Sequence, residues 1–516
     1  MYKDSLDVYR AWVLEVETPP CSSKVSVKYL VEYPSIMASS GIILHLLVIT
    51  MATQVASAFK YSDGCIVSVL SVNNNNIIAM YSRDFQASSE PVQGVHLSLD
   101  GNNQAMRVTW FNPHPFHSGP FHPQCMFGPS QHVLKHTSTG TAYTYRGGNF
   151  NQTLNSALLD LTQVGGGGVV SNTTVFYKCG DQNYGWSDVK QFTLLGRNAK
   201  KKEVADDTDT FCKPSLTGFF KDETPTVAAV ADLSIDHGKH TIAALSNLAQ
   251  AGKIQLLIHA GDITYADRYG GDSHNNSYVW VDYMNRMEPV VSRVPYMTAP
   301  GNHESEFHFA AYANWLNMPS TESYSNSTFW FSFDYMGVHF VSFSTEHEFM
   351  QNSTQFHWME SDLKAANRNR RAVPWVFVFG HRPLYCTSVI CRERCKVEAP
   401  VFRSYLEDLL YEQKVDVYMS GHNHQYERSL PVYRQRAVQE DYKNPKAPVY
   451  IVNGGAGNPD FNDPTFEPRI PWRGSDEPTF DTGYLLFQPT STQLRFQYMA
   501  SRSNEVLDRF TITKSP

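Results

Sequence analysis

Five short polar clusters carry side chains able to bind a metal or move a proton. They are Asp232-Leu233-Ser234, Gly261-Asp262-Ile263-Thr264-Tyr265, Gly301-Asn302-His303-Glu304, Gly380-His381-Arg382-Pro383 and Gly421-His422-Asn423-His424. Asp232, Asp262, Tyr265, Asn302, His381, His422 and His424 offer hard oxygen donors together with imidazole nitrogens. That mixture suits iron, zinc or manganese rather than calcium or a thiolate-bound structural zinc. The set is too large for one tetrahedral ion, whereas two ions about 3.5 to 4 Å apart with a shared carboxylate would use all of it. Asp262 is the candidate bridge, and hydrolysis by activated water is the chemistry such a pair supports. His303, next to Asn302, is the candidate for contacting the substrate or donating a proton. Glu304 is read as an orienter of His303 or of a ligand.

The order and rough spacing of these clusters, from about Glu90 to the end, resemble the purple acid phosphatases. These are secreted calcineurin-like metallophosphoesterases, here in their larger two-domain form. Tyr177-Lys178-Cys179-Gly180, Ser344-Thr345-Glu346-His347, His381-Arg382-Pro383-Leu384-Tyr385 and His424-Gln425-Tyr426-Glu427-Arg428 are similar to that family as well. The resemblance implies Fe(III) held by Asp232, Tyr265 and His424, and a divalent ion (zinc, manganese or Fe(II)) held by Asn302, His381 and His422. Asp262 would bridge them, with one ion of each kind per chain. It further implies an acid phosphatase that hydrolyses phosphate monoesters through a metal-bound hydroxide, with small phosphate esters and phosphoproteins as substrates. The donor chemistry agrees, since a tyrosinate favours ferric iron while an amide and two neutral imidazoles suit a divalent ion.

Two departures from the family pattern bear on this reading. Ser234 stands where the first motif usually carries glycine, so either the turn is rearranged or Asp232 is displaced. This motivates a catalytically weak binding pseudoenzyme as one competing reading, beside a phosphodiesterase of the same superfamily. After His381, the extra histidines of some plant members give way to Cys386, Cys391 and Cys395 among Arg392, Glu393, Arg394 and Lys396. A disulfide is expected there rather than a zinc knuckle. The two arginines either meet anionic substrates or are solvated.

The clusters must be positioned by strands. Apolar runs such as Leu256-Leu257-Ile258 and Val376-Phe377-Val378-Phe379 read as buried strands, which puts each cluster at a strand's carboxyl end, where open α/β sheets bind ligands. Ile242, Leu245, Leu248 and Ala249 share one helical face, as do Phe402, Tyr405, Leu406, Leu409 and Leu410. Strands alternating with helices predict an α/β catalytic fold over 225–516, and the resemblance implies the purple acid phosphatases' αββα two-sheet sandwich. Before it, half-buried strands such as Val95–Leu99, Met106–Trp110 and Val175–Cys179 predict an all-β sandwich over 90–195, which the resemblance implies is fibronectin III-like, with a charged linker over 196–224. Isolated His259, His339 and His357 are read as hydrogen-bonded structural residues.

Residues 1–36 read as a non-native extension, 37–58 as a secretory signal too short for a membrane span, and 59–89 carry no assignment. Sequons at Asn151, Asn172, Asn275, Asn326 and Asn352 agree with a secreted or lysosome-like destination. The chain of 516 residues, 42% hydrophobic with net charge −7, has room for two or three cored domains and is no basic nucleic-acid binder.

Overall fold

The computed structural model describes residues 65–73, 76–83, 90–101, 104–164, 173–195, 220, 224–269, 276–462, 465–476 and 481–515. The segments 1–36 and 37–58, Cys212, the linker's basic run Lys200-Lys201-Lys202, Asn172 and Asn275 lie outside the described residues. The chain divides into Met1–Ser89 and Glu90–Pro516. In the first unit, Cys65–Asn73 pairs antiparallel with Asn76–Arg83.

In the second unit, two sheets stack face to face. The six-stranded sheet has parallel Val227–Val230, Leu256–Ala260 and Tyr296–Ala299, continued by antiparallel Gly483–Pro489, Gln493–Ala500 and Val506–Thr513. The seven-stranded sheet has parallel Val338–Ser342, Trp375–Phe379, Val417–Ser420 and Val449–Asn453. Phe331–Tyr335 flanks it on one side, Tyr426–Ser429 and Arg473–Asp476 on the other. Side chains alternate across a strand, and here both faces are apolar. Trp375, Phe377 and Phe379 enter the core between the sheets, while Val376 and Val378 join Phe356, Met359 and Leu363 of helix Thr354–Arg368 and Phe402 and Leu406 of helix Ala399–Glu412. Phe377 stacks on Phe487 of the opposite sheet, with ring centroids 5.0 Å apart and planes 5° from parallel. Helices Lys239–Gln250 and Ser277–Val291 bring Leu245, Leu248, Met284 and Met287 into the core of the six-stranded sheet. The fold is the expected αββα sandwich.

The segment before it is a β-sandwich of a four-stranded sheet (Gln93–Leu99, Ala105–Pro115, Gln152–Asp160, Thr141–Tyr143) and a five-stranded one built on Gln124–Gly128 and Thr173–Asp181. A disulfide joins Cys125 and Cys179, which face each other across these last two strands. The expectation of half-buried strands fails at Gln93–Leu99, which is buried along its whole length. Its outer face meets the catalytic domain. Val95 N donates to Glu288 Oε2 at 3.1 Å, and buried His96 Nε2 lies 2.7 Å from the Trp315 carbonyl. Tyr177 Oη donates to the Ser292 carbonyl at 2.7 Å.

His339, read from sequence as structural, bridges two acids, Asp334 Oδ1 and Asp362 Oδ2, each at 2.8 Å. Burial alone would lower its pKa, but the hydrogen bonds and charges of these carboxylates prevail and raise it from 6.5 to about 9. A raised folded-state pKa stabilises fully below the unfolded value and the gain disappears as pH rises through the folded one. Thermal unfolding followed from pH 6.5 to 9.5 should therefore show a loss on the order of 2 kcal/mol that His339→Gln lacks. Parallel pH profiles for the two proteins would contradict this.

Candidate metal centre

The strands that bear the motifs run parallel within each sheet, so the five clusters emerge on the carboxyl-terminal edges. The turns are tight. Asp232, Asp262, Tyr265 and His422 all adopt left-handed backbone conformations, with φ of 57°, 53°, 57° and 66°. Non-glycine residues rarely do so, at roughly 1 to 3 kcal/mol each, and such strain clusters at functional sites. Gly261, with φ of 82°, is needed twice over, because a Cβ there would stand 2.5 Å from His381 Nδ1. A Cβ on Gly301 would stand 2.3 Å from Asp262 Oδ1.

Two groups of donors result. Tyr265 Oη lies 3.2 Å from Asp232 Oδ1 and 3.4 Å from His424 Nε2, with His424 Nε2 3.5 Å from Asp232 Oδ1. His381 Nε2 lies 3.0 Å from Asp262 Oδ2, 3.1 Å from Asn302 Oδ1 and 3.2 Å from His422 Nδ1. The donors of Asp262, His381 and His422 all fall within 4.8 Å of one another. Metal–ligand bonds of about 2.1 Å give donor–donor edges of about 3.0 Å in an octahedron and about 3.4 Å in a tetrahedron. Both groups match those edges.

The electrostatics favour cations at the same place. His381 Nδ1 faces the Ala260 carbonyl at 3.0 Å, which fixes a proton there and leaves Nε2 to face an amide oxygen, a carboxylate and another imidazole. One N–H cannot satisfy all three. Against the penalty of burial, Asp262 raises His381 to about 9, so the site pulls hard on positive charge. Asp262 is itself held well below the usual carboxylate range by His381, His303 and His422, although burial opposes this. Burial lowers His422 to about 3, which keeps it neutral and able to ligate. Burial, and then the charge of Asp232, raises the Tyr265 phenol far above 10, so only a strong cation beside it would ionise it. The residues present fit a binuclear centre.

Other side chains hold this arrangement. Glu304 accepts backbone N–H groups from Gly301, Asp262 and Ile263 at 2.8, 2.9 and 2.8 Å, so it orients the bridging loop rather than His303. Burial and the Asp262 charge raise its pKa to about 7. His303 stands beside both donor groups, with Nε2 3.8 Å from Asp262 Oδ2 and its ring 4.4 Å from that of Tyr265. Its Nδ1 binds Asp267 Oδ2 at 2.7 Å. On the far side of the site, His422 Nε2 lies 3.3 Å from Glu398 Oε2 and 3.2 Å from Arg382 Nη1, and Arg382 Nε binds Glu346 at 2.8 Å. Sequence reading missed Asp267, Glu346 and Glu398. Only the nearness of Asp267 to Tyr265 and the match around Glu346 pointed toward the site.

Ser234 disturbs nothing. The positive φ belongs to Asp232, and Ser234 stays outside the left-handed region with Oγ donating to the Gly457 carbonyl at 2.7 Å. A positive φ, one reason for expecting glycine at this position, is therefore absent at Ser234. Arg394 donates to the His422 carbonyl, while Arg392 is 68% exposed with Nε 3.4 Å from Glu467. Cys386 and Cys395 form the expected disulfide, and Cys391 is partly buried. His259 binds Tyr296 Oη at 2.7 Å, as a structural residue should. Asn151, Asn326 and Asn352 are exposed.

Comparisons with known proteins follow the same division. The calcineurin-like phosphoesterase profile matches residues 225–426, the purple acid phosphatase N-terminal domain residues 92–194, and the iron/zinc purple acid phosphatase-like C-terminal region residues 447–509. Acid phosphatase type 7 of Homo sapiens is 31% identical over 390 residues, spanning 72% of this chain and 79% of that one. Purple acid phosphatase 22 of Arabidopsis thaliana is 31% identical over 386 residues, spanning 72% and 73%. The structure of a purple acid phosphatase from yellow lupin (Lupinus luteus) seeds shares the fold, with a TM-score of 0.66 at 21% identity over 82% of this chain and 74% of that one.

Ser234 is here a hydrogen-bonded part of the turn. Ser234→Gly should cost about 1 to 2 kcal/mol, from one lost buried hydrogen bond and added backbone entropy. Thermal unfolding measures this, and a more stable Ser234→Gly protein would show that serine strains the turn.

Proposed function

Since the chain belongs to the purple acid phosphatase family of calcineurin-like phosphoesterases, we propose that it hydrolyses phosphate monoesters at an Fe(III)–divalent pair. The observation that carries this reading is the presence of two donor groups whose spacings match coordination edges, with Asp262 in the second group and its charge acting on Tyr265 of the first. Asp232, Tyr265 and His424 would hold the ferric ion, Asn302, His381 and His422 the divalent ion, and Asp262 would bridge. When bound, such a pair supplies activated water and neutralises charge on the phosphoryl oxygens.

His303 does the proton work. Burial works against its charged form, but the hydrogen bond to Asp267 and the Asp262 charge raise its pKa above 6.5. The imidazolium is thereby favoured, with Nε2–H free of the Asp267 bond and directed to the edge of the donor groups. There it donates to a phosphoryl oxygen or passes its proton to the departing alkoxide, while Asp267 holds the ring through Nδ1. The two disulfides support passage through an oxidising compartment, in keeping with secretion or a lysosome-like destination. Small phosphate esters and phosphoproteins are the proposed substrates. Among the described residues no helix is long and apolar enough to cross a membrane.

Metal analysis of purified protein, with matched monoester and diester assays, tests this directly. Two ions per chain and preference for the monoester are expected; preference for the diester would shift the assignment. Asp262→Asn should lower metal content and cut turnover by more than about 100-fold. An unchanged metal count in that variant would remove the bridge. His303→Ala should reduce kcat by roughly 10² to 10⁴-fold with both ions retained. Because Asp267 raises the His303 pKa, Asp267→Asn should move the alkaline limb of the kcat profile to lower pH. A limb that stays in place would take the proton role from His303.

A further inference from the structure

The segment between strand Trp375–Phe379 and helix Ala399–Glu412 is closed by the buried Cys386–Cys395 disulfide and ends in a π-helical turn, Arg394–Glu398. Such turns are rare and recur at functional sites. Three residues of this one grip a single dipeptide of the ligand loop. Arg394 Nη1 donates to the His422 carbonyl, and Asn423 Nδ2 donates to Cys395 Sγ at 3.0 Å. Glu398 Oε2 stands 3.3 Å from His422 Nε2. Glu398 is anchored in turn by Arg382 Nη1 at 2.5 Å, and Arg382 is held by Glu346 at 2.8 and 3.1 Å.

The geometry sets this side of the centre apart. His422 turns Nδ1 toward His381, while Nε2, the nitrogen that faces away from the donor group, meets an ion pair: Glu398 Oε2 at 3.3 Å and Arg382 Nη1 at 3.2 Å. A carboxylate in that position fixes tautomer and ring orientation and strengthens the ligand. His381 has only a backbone carbonyl in the equivalent role. Within the ligand group the His422 ring meets only the edge of His381, with centroids 5.0 Å apart and planes at 74°, and the π turn adds a constraint from the opposite side.

We propose that the disulfide-closed π turn is the positioning element of the His422 half of the centre. Glu398 selects the tautomer that presents Nδ1, while Arg394 and the Cys386–Cys395 link fix the depth of the His422-Asn423 backbone. This rests on the two-ion reading above. Glu398, Arg394 and the disulfide act through His422 and are positioning residues.

The test is dialysis of the metal-loaded full-length protein against increasing chelator, with metal counted per chain and thermal unfolding recorded. Wild type should keep two ions. Glu398→Ala and the double variant Cys386→Ser/Cys395→Ser should lose one ion at about 10- to 100-fold lower chelator and keep the other. Glu398→Gln, which retains an acceptor oxygen, should fall between. Added Zn²⁺ should restore kcat in both altered proteins, with a raised Zn²⁺ requirement. Retention equal to wild type in Glu398→Ala and in the cysteine variant would overturn the proposal. Should the cysteine variant not fold, Glu398→Ala and Arg394→Ala decide it alone. A wild-type chain that holds no ion pair under any loading would overturn the two-ion reading instead.

Discussion

Buried carboxylates repel one another unless positive charge is placed among them. Asp232, Asp262 and Glu304 are 0%, 1% and 3% exposed, grouped with a buried phenol and three buried imidazoles. Transfer of even one isolated carboxylate into such an interior costs many kcal/mol. The histidines meet part of the demand, and Glu304 meets its own by accepting three backbone N–H groups. What remains is a concentration of negative and lone-pair density that only cations relieve. The centre is thus a charge problem that the fold sets up and that bound cations would resolve.

Holding such a group together needs a stiff frame. Two sheets with both faces apolar provide it, and aromatic contacts such as Phe377 on Phe487 lock them face to face. That rigidity lets the turns keep Asp232, Asp262, Tyr265 and His422 in backbone conformations they would not choose alone. Relaxation of any one of these turns would swing its donor out of register by more than a metal–ligand bond tolerates. The outer supports at Glu304, Asp267 and Glu398 add the last constraints on side-chain orientation.

Much of this was legible in the sequence because the relevant signals are local. A polar cluster after an apolar run marks a strand's end, and a repeat of Ile242, Leu245 and Leu248 marks a helix's buried face. Contacts between distant segments leave no such trace. Nothing near Glu398 announces that it meets His422, and nothing near Gln93–Leu99 announces that its polar side chains His96 and Ser98 will meet the Trp315 and Asn317 carbonyls. Ser234 shows the reverse error. Its type differs from the family pattern, but the backbone at that position does not require glycine, and a hydroxyl finds a carbonyl partner at Gly457.

The junction between the sandwich and the catalytic domain has its own implication. His96 is buried against the Trp315 carbonyl, Tyr177 reaches Ser292, and Glu288 is shared by Val95 and Lys190, the latter at 2.5 Å. Helix Ser277–Val291, which shields one sheet of the catalytic core, is clamped from outside by these bonds. The N-terminal module is therefore no detachable ornament that recombination could exchange freely. A foreign module in its place would leave the Trp315 and Ser292 carbonyls and the Glu288 carboxylate without these partners unless its own seam residues matched them.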